Sequence, residues 1–403
     1  MKITSIETLC LSRTHEPEQQ WITGSGRTTK ADCAVVIVHT DEGISGIGEA
    51  CPYGIPHLIA EWVAWLGPEL VGRDVQVAAA RIHPNGRIVD YMATPFISPY
   101  DAAVAGIDTA LWDVRAKQAG VPLCDFLKPN APHEIGLYAS SGCRYDWRQP
   151  EQLIEETLGY RDAGFTACKV RIGTEWTWDN VTVDRFLGLM GELRAAVGNK
   201  MRLMVDGNKR LSVEQTFAVA PGLDALGFAW FEEPFAYEYI DAYARLNASV
   251  AMPISGGEQF STLEQFRPYF EKHCFDIVQP DVACSGITEA LQIAEVADHY
   301  GVDVIPHNWH HGLMTMANAH YVAALSRPHS LELCMIQGPL QWAILAEPPH
   351  ISAGTLIISS SPGLGVSLAA DLVQRFPYIE GHYAVSNECG KQSSTQQFNK
   401  QRR

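Results

Sequence analysis

LMVDGNKRLSVEQTFAVAPGLDALGFAWFEEP, residues 203–234, holds one period of a repeating pattern. A short apolar run ends on an acid, Asp206; a helix-patterned stretch follows; a second apolar run ends on Glu232. Strand, helix, strand in this order is the grammar of a parallel βα unit. Outward from it, the runs IGLYASS, CKVRIG, LMVDGN, AWFEEP, MPISGGEQ, DIVQPD, VDVIPHN and LELC give eight strand candidates from about residue 135 onward. Eight such units argue for a (β/α)₈ barrel. Asp206, Glu232, Glu258, Asp281, His307 and Glu332 end six of the runs, at successive gaps of 26, 26, 23, 26 and 25 residues. One strand, one helix and two short loops occupy such a step, so all six fall at the C-terminal strand ends, the rim that carries barrel active sites.

The first ~130 residues have a mixed texture. Residues 2–12 and 33–40 read as strands, 58–71 and 101–119 as helices, and 14–30 and 50–57 as loops. The close glycines of GIGEACPYG and GSGR lack a dinucleotide fingerprint and read as turns. After about residue 383 the chain is polar, and a disordered tail is expected over 384–403.

Lys+Arg 30 against Asp+Glu 46 gives a net charge of −16, which argues against a nucleic-acid or anionic-membrane partner. No apolar run reaches the ~18 residues a membrane span needs. The ten cysteines are scattered without a Cys-x-x-Cys, and MKITSIETLCLSRTHEP reads as a strand rather than a signal peptide. Free thiols in a reducing cytoplasm are expected.

Asp206, Glu232 and Glu258 on adjacent strands would repel one another unless neutralised. Oxygen ligands with room for water and substrate oxygens suit Mg²⁺, one ion per site. In Glu232-Glu233 the two side chains point to opposite faces; parity does not choose between them, and spacing favours Glu232 slightly. Asp281, one βα unit before His307, would fix the imidazole tautomer and raise its basicity. In CKVRIG, Lys169 and Arg171 share one strand face and look toward the same rim.

Jointly these motifs resemble the enolase superfamily in its mandelate racemase-like branch. The resemblance runs to about residue 383, through AGIDTALWDVRAKQAGVPL, Lys169-x-Arg171, Asp206-x-Asn208, Glu232-Glu233-Pro234, Gly257-Glu258, Gln279-Pro280-Asp281, Pro306-His307, Glu332 and PGLGV at 362–366. It implies an α/β fold: an N-terminal α+β capping domain (1–130), a modified (β/α)₇β TIM barrel (131–355) and a segment returning to the cap (356–383). It also implies Mg²⁺ on Asp206, Glu232 and Glu258, a His307–Asp281 base dyad, and Lys169 and Glu332 at the substrate carboxylate. Glu332 could then donate a hydrogen bond if protonated. Cap loops near Trp21–Arg27 and Cys51–Pro56 would close over the substrate, with Trp21, Tyr53 and Asn208 among the residues that set specificity.

Arg171 departs from that pattern, which carries Lys-x-Lys with the second lysine a base. Arginine stays protonated, with a pKa of roughly 12.5 or more, and is a poor resting base. Two-base racemisation is therefore in doubt. One-base chemistry fits better: His307 takes the proton α to a carboxylate, then delivers it to a departing β-hydroxyl. That is dehydration of a sugar acid to a 2-keto-3-deoxy acid. Arg171 is left to hold substrate hydroxyls or a second carboxylate, to pair with a rim acid, or to move protons in a perturbed environment. An epimerase, racemase or cycloisomerase of a carboxylate substrate is the rival enzyme; a non-catalytic acid-sugar binder is a remote one. HNWHHG (307–312) suggests zinc but lacks a second ligand cluster; Trp309, His310 and His311 are either substrate-facing or loop. A symmetric homo-oligomer is the default assembly.

Overall fold

The computed structural model describes residues 1–23, 26–50, 55–76, 98–173, 176–309, 311–336 and 338–385. Tyr53, His310 and most of the second cap loop lie outside them, as does the tail from 386 onward.

Three long strands open the chain: β1 (Ile3–Thr14), then, after the short hairpin strands β2 (Trp21–Thr23) and β3 (Gly26–Thr28), β4 (Lys30–Thr40) and β5 (Ser45–Ala50). β1, β4 and β5 form an antiparallel sheet in that order. The expected loop over 14–30 is thus a hairpin between two strands longer than their apolar runs. The glycines of GIGEA are also not turns, because Gly46 and Gly48 lie inside β5. A Cβ on Gly46 would stand 2.0 Å from the Ala110 carbonyl oxygen, and one on Gly48 2.2 Å from that of Gly106. Glycine here lets the helix Pro99–Ala119 approach the strand backbone directly. That helix starts on Ser98, whose side chain accepts from the Tyr100 and Asp101 N–H groups, and stops at Gly120, φ 72°. With the helix Pro56–Leu70 it closes a cap core around Ile3, Val36, Val63 and Leu111.

Eight parallel strands follow: β6 (Glu134–Ser141), β7 (Ala167–Arg171), β8 (Arg202–Asp206), β9 (Phe231–Glu232), β10 (Ile254–Gly256), β11 (Ile277–Val278), β12 (Asp303–Val304) and β13 (Leu331–Cys334). Each coincides with one of the apolar runs. Neighbours pair in chain order from β6 to β12, and β13 pairs back onto β6 with Leu331 opposite Leu137. At the β12–β13 seam, Asn308 Nδ2 donates to the Glu332 carbonyl at 2.9 Å. Helices from Glu151–Asp162 to Gly312–Ala324 fill each of the seven intervals between these strands, and a hairpin rather than a helix follows β13 among the described residues. The architecture is therefore (β/α)₇β. That hairpin, β14 (His350–Ser352) and β15 (Thr355–Ile357), pairs antiparallel with the start of β6, on the side away from the acidic rim.

The chain then returns to the cap. Gly363 exchanges backbone hydrogen bonds with Val121 and Leu123, and the Leu364 N–H donates to Asp113 Oδ1 at 2.8 Å. Ser12 N donates to the Phe376 carbonyl, and β16 (Ala384–Val385) pairs with β3. This strand carries the described chain two residues into the segment expected as a tail, through backbone pairing with the hairpin. Two buried contacts lock cap to barrel. Thr288 donates through N and Oγ1 to Asp108, and Glu49 accepts from His311 Nδ1 at 2.7 Å and from the Met314 N–H at 3.0 Å. No described helix is long and apolar enough to cross a membrane.

Candidate active site

Strand register gathers the rim. Asp206 pairs with Glu232 across β8–β9, and Arg171 with Asp206 across β7–β8. Glu258 follows β10, Asp281 and His307 follow β11 and β12, and Glu332 is the second residue of β13. Lys169, Asp206, Glu232, Glu258, Asp281, His307 and Glu332 are all buried.

The two cations face different acids. Lys169 Nζ donates to Glu232 Oε1 and lies 2.9 Å from Glu332 Oε1. Burial works against its charge, but Glu232 and Glu332 outweigh that and hold its pKa well above the ordinary value. Arg171 Nε donates to Asp206 Oδ2 at 3.0 Å, and its guanidinium lies 4.9 Å from the centre of the Trp309 ring. Against the opposing effect of burial, Cys143, Asp206 and Glu258 raise its pKa, so Arg171 stays charged. Of the three roles open to Arg171, the fold shows the pairing with a rim acid; proton transfer stays an expectation. The remaining role, a grip on substrate, stays an expectation.

Glu232 and Glu233 are separated by their partners. Glu232 faces the barrel axis with Lys169, and its Oε2 also accepts from Trp230 Nε1 at 3.1 Å and Gln279 Nε2 at 2.7 Å. Glu233, at φ 38°, turns toward Lys209 Nζ at 2.9 Å. Glu232 is thus the one directed to the ring. Burial favours the neutral form of Glu332, but Lys169 and then His307 pull its pKa down to about 2. Its Oε2 accepts the Asn308 N–H at 2.9 Å, and Lys169 favours its charged form; the hydrogen bond to substrate stays an expectation.

His307 Nδ1 meets Asp281 Oδ2 at 2.7 Å, and Asn318 Nδ2 holds the other Asp281 oxygen at 3.2 Å. The dyad therefore exists as geometry, with Nε2 directed to the rim, 3.6 Å from Glu258 Oε2. Burial would lower the His307 pKa; Glu258 and the Asp281 hydrogen bond raise it to about 9. Among the specificity candidates, Asn208 gives its backbone N–H to Asp206 Oδ1 at 2.7 Å, and its side-chain oxygen lies 3.5 Å from Arg210 Nη2. Trp21 reaches the barrel and sits edge-on to Trp309 at 6.3 Å. Sequence reasoning passed over Asn308, Asn318 and Glu49. Asn308 stands beside His307 in VDVIPHN, but only the folded chain shows it bonded to Glu332 and Asn318.

The rim fits a hard divalent cation. Its acids outnumber its cations even with His307 protonated, and Glu258 Oε2 is buried without a hydrogen-bond partner. Among the described residues, two other sets, Cys33–Glu49–His311 and Cys124–Asp125–His133, bring ligand atoms within 4.8 Å of one another. The first supplies the partners that HNWHHG lacked in sequence, yet both Glu49 oxygens are already used in the cap clamp.

The unneutralised ring carries a pH signature. Burial, partly offset by Lys169, raises Glu232 to about 7; burial and Glu258 raise Glu233 to about 8. Acids raised in this way stabilise fully below the unfolded pKa, and that contribution is lost as pH climbs through the folded pKa. His307, raised to about 9, acts in the same direction. Metal-free protein should therefore melt at progressively lower temperature from about pH 6.5 to about pH 9, with Mg²⁺ recovering more at the alkaline end; below that window His15 and His320, both lowered to about 4, act in the opposite direction. A melting temperature that is flat or rising across that window in EDTA would contradict this account.

Two family models match the chain: Mandelate racemase / muconate lactonizing enzyme, N-terminal domain, over residues 5–127, and Enolase C-terminal domain-like over 152–372. A D-galactarolactone cycloisomerase from Agrobacterium fabrum is 28% identical over 391 residues, covering 93% of this chain and 99% of that protein. An arabinonate dehydratase from Saccharolobus solfataricus is 28% identical over 351 residues, covering 84% and 89%. Among solved structures, the 3,6-anhydro-D-galactonate cycloisomerase from Zobellia galactanivorans superposes with a TM-score of 0.81 at 29% identity, covering 94% of this chain and 100% of that one.

Proposed function

The chain belongs to the mandelate racemase / muconate lactonizing enzyme family of the enolase superfamily, and on that premise we propose that it dehydrates a sugar acid to its 2-keto-3-deoxy acid. The observation that carries this reading is the single base. His307 is held by Asp281, and the residue at the second-base position is an arginine paired with Asp206.

Asp206, Glu232 and Glu258 would hold Mg²⁺, which enolase superfamily members use. Bound there, the ion would neutralise the second negative charge that develops on the substrate carboxylate as the α-proton leaves. The protein's own groups do the rest. Lys169, fully charged between Glu232 and Glu332, supplies a fixed positive group for the same developing charge. His307 Nε2, in the neutral form of the ring, takes the α-proton, with Asp281 stabilising the imidazolium that results; the Cα–H electron pair becomes the enediolate. The enediolate then expels the β-hydroxyl, to which His307 returns the proton, so that water leaves and the enol ketonises. Glu332 positions Lys169 and the backbone after His307.

The test is a screen of aldonates and aldarates for 2-keto acid formation with Mg²⁺ present. No 2-keto product from any of them, with isomers formed instead, would replace dehydration by the epimerase or cycloisomerase reading. A second expectation concerns stereochemistry. Substrate recovered after partial turnover in D₂O should keep its α-configuration, because only one face has a base. Rapid deuterium exchange with inversion would mean that Arg171 moves protons after all.

A further inference from the structure

One side chain of the cap is buried with its polar ring atoms unpartnered. His15, just beyond β1, is 2% exposed, and neither of its ring nitrogens has a hydrogen-bond partner. A buried polar group left in this way is destabilising, and such groups in native proteins call for a ligand, a water or a mechanism. Burial, and then the proximity of His311, pushes its pKa down to about 4. At neutral pH the ring therefore offers one N–H donor and one acceptor and no charge.

Its position connects it to the chemistry. The imidazole meets Trp21 edge-on at 5.1 Å, Trp21 meets Trp309 at 6.3 Å, and Trp309 carries the Arg171 guanidinium that pairs with Asp206. An unbroken run of contacts thus leads from the carboxylate ring, up the aromatic wall of the mouth, to His15. Gly338 keeps the barrel side open to the ring; a Cβ there would stand only 3.3 Å from His15 Cε1. The nearby cation of the cap, Lys30, is turned away to Asp32 and to the Ile379 and Gly381 carbonyls. His311 spends Nδ1 on Glu49. With the carboxylate end of a substrate placed at Lys169 and the acid ring, the part left to lie toward His15 would be the other end of the molecule.

We propose that His15 is a specificity-determining residue that exchanges a hydrogen bond with a hydroxyl on the substrate's carbon chain, remote from the reacting carboxylate. This rests on the acid-sugar reading above. Trp21 and Trp309 would pack along the C–H faces of the chain, and His15 would read a hydroxyl rather than a second carboxylate.

The test compares wild type with His15→Phe, which keeps a ring and removes both nitrogens, and with His15→Gln, which restores a donor and an acceptor. Melting temperature is measured without substrate. With Mg²⁺ present, kcat and KM are measured on the preferred aldonate and on its deoxy analogues, lacking one hydroxyl at a time beyond carbon 3. His15→Phe should melt no lower than wild type, because it removes an unsatisfied buried group. Its kcat/KM on the aldonate should fall roughly tenfold, chiefly through KM, the scale of one hydrogen bond. One deoxy analogue should be used equally well by both proteins, and His15→Gln should recover part of the loss. Unchanged kcat/KM in His15→Phe would mean a bound water only, and a melting temperature lowered by several degrees would mean a structural bond; either overturns the proposal. If wild type turns over no sugar acid, the dehydratase reading fails separately, and the melting comparison alone then decides whether His15 is a structural residue.

Discussion

Replacing His307 by asparagine should lower kcat by roughly 10³-fold or more, since general acid–base catalysis contributes about 10²–10⁴-fold and His307 serves both proton transfers. Asparagine keeps the shape and can still donate to Asp281 Oδ2, which His307 Nδ1 now contacts at 2.7 Å, so the pocket need not collapse. KM should change little, because carboxylate binding rests on Lys169 and the acid ring. The measurement is steady-state formation of 2-keto acid, with a melting curve to confirm folding. A folded variant that turns over at the wild-type rate would remove His307 from the reaction. Asp281→Asn should cost less than His307→Asn. It leaves the imidazole in place but takes away the charge that stabilises its protonated form.

Stripping the divalent cation with EDTA should reduce activity by roughly 10³-fold or more, the several kcal/mol that Lewis-acid stabilisation supplies, with Mg²⁺ restoring it. The argument is electrostatic. Asp206 has Arg171 and Glu232 has Lys169, but Glu258 has a buried oxygen with no hydrogen-bond partner. Removing the α-proton adds another negative charge to that neighbourhood. Asp206→Asn should weaken the response to Mg²⁺ and also release Arg171 from its ion pair. Full turnover by protein shown to be metal-free would end the metal-assisted reading and leave Lys169 as the main stabilising charge.

The sequence by itself determined the barrel and the membership of its rim. Each βα unit takes up a nearly constant length of chain, so the 26, 26, 23, 26 and 25 residue steps from Asp206 to Glu332 translate directly into adjacent strand ends. Lys169 and Arg171 were legible for the same reason, because strand parity is local. Only the tertiary structure decided how those groups are charged and paired, since that depends on neighbours from other strands. Glu232 was separated from Glu233 by Lys169 and Lys209, which lie on different sides of β9. Glu332 is pushed toward its charged form because Lys169 lies 2.9 Å away, and Arg171 is an ion-pair partner because β7 is in register with β8. The cap was the less legible half. Gly46 and Gly48 look like turn residues until helix Pro99–Ala119 is packed on β5, and the Glu49–His311 clamp joins positions 262 apart. His15 carried no pattern at all. An isolated histidine after a strand says nothing of its surroundings, and its meaning lies in a burial that leaves both nitrogens unsatisfied beside the aromatic wall.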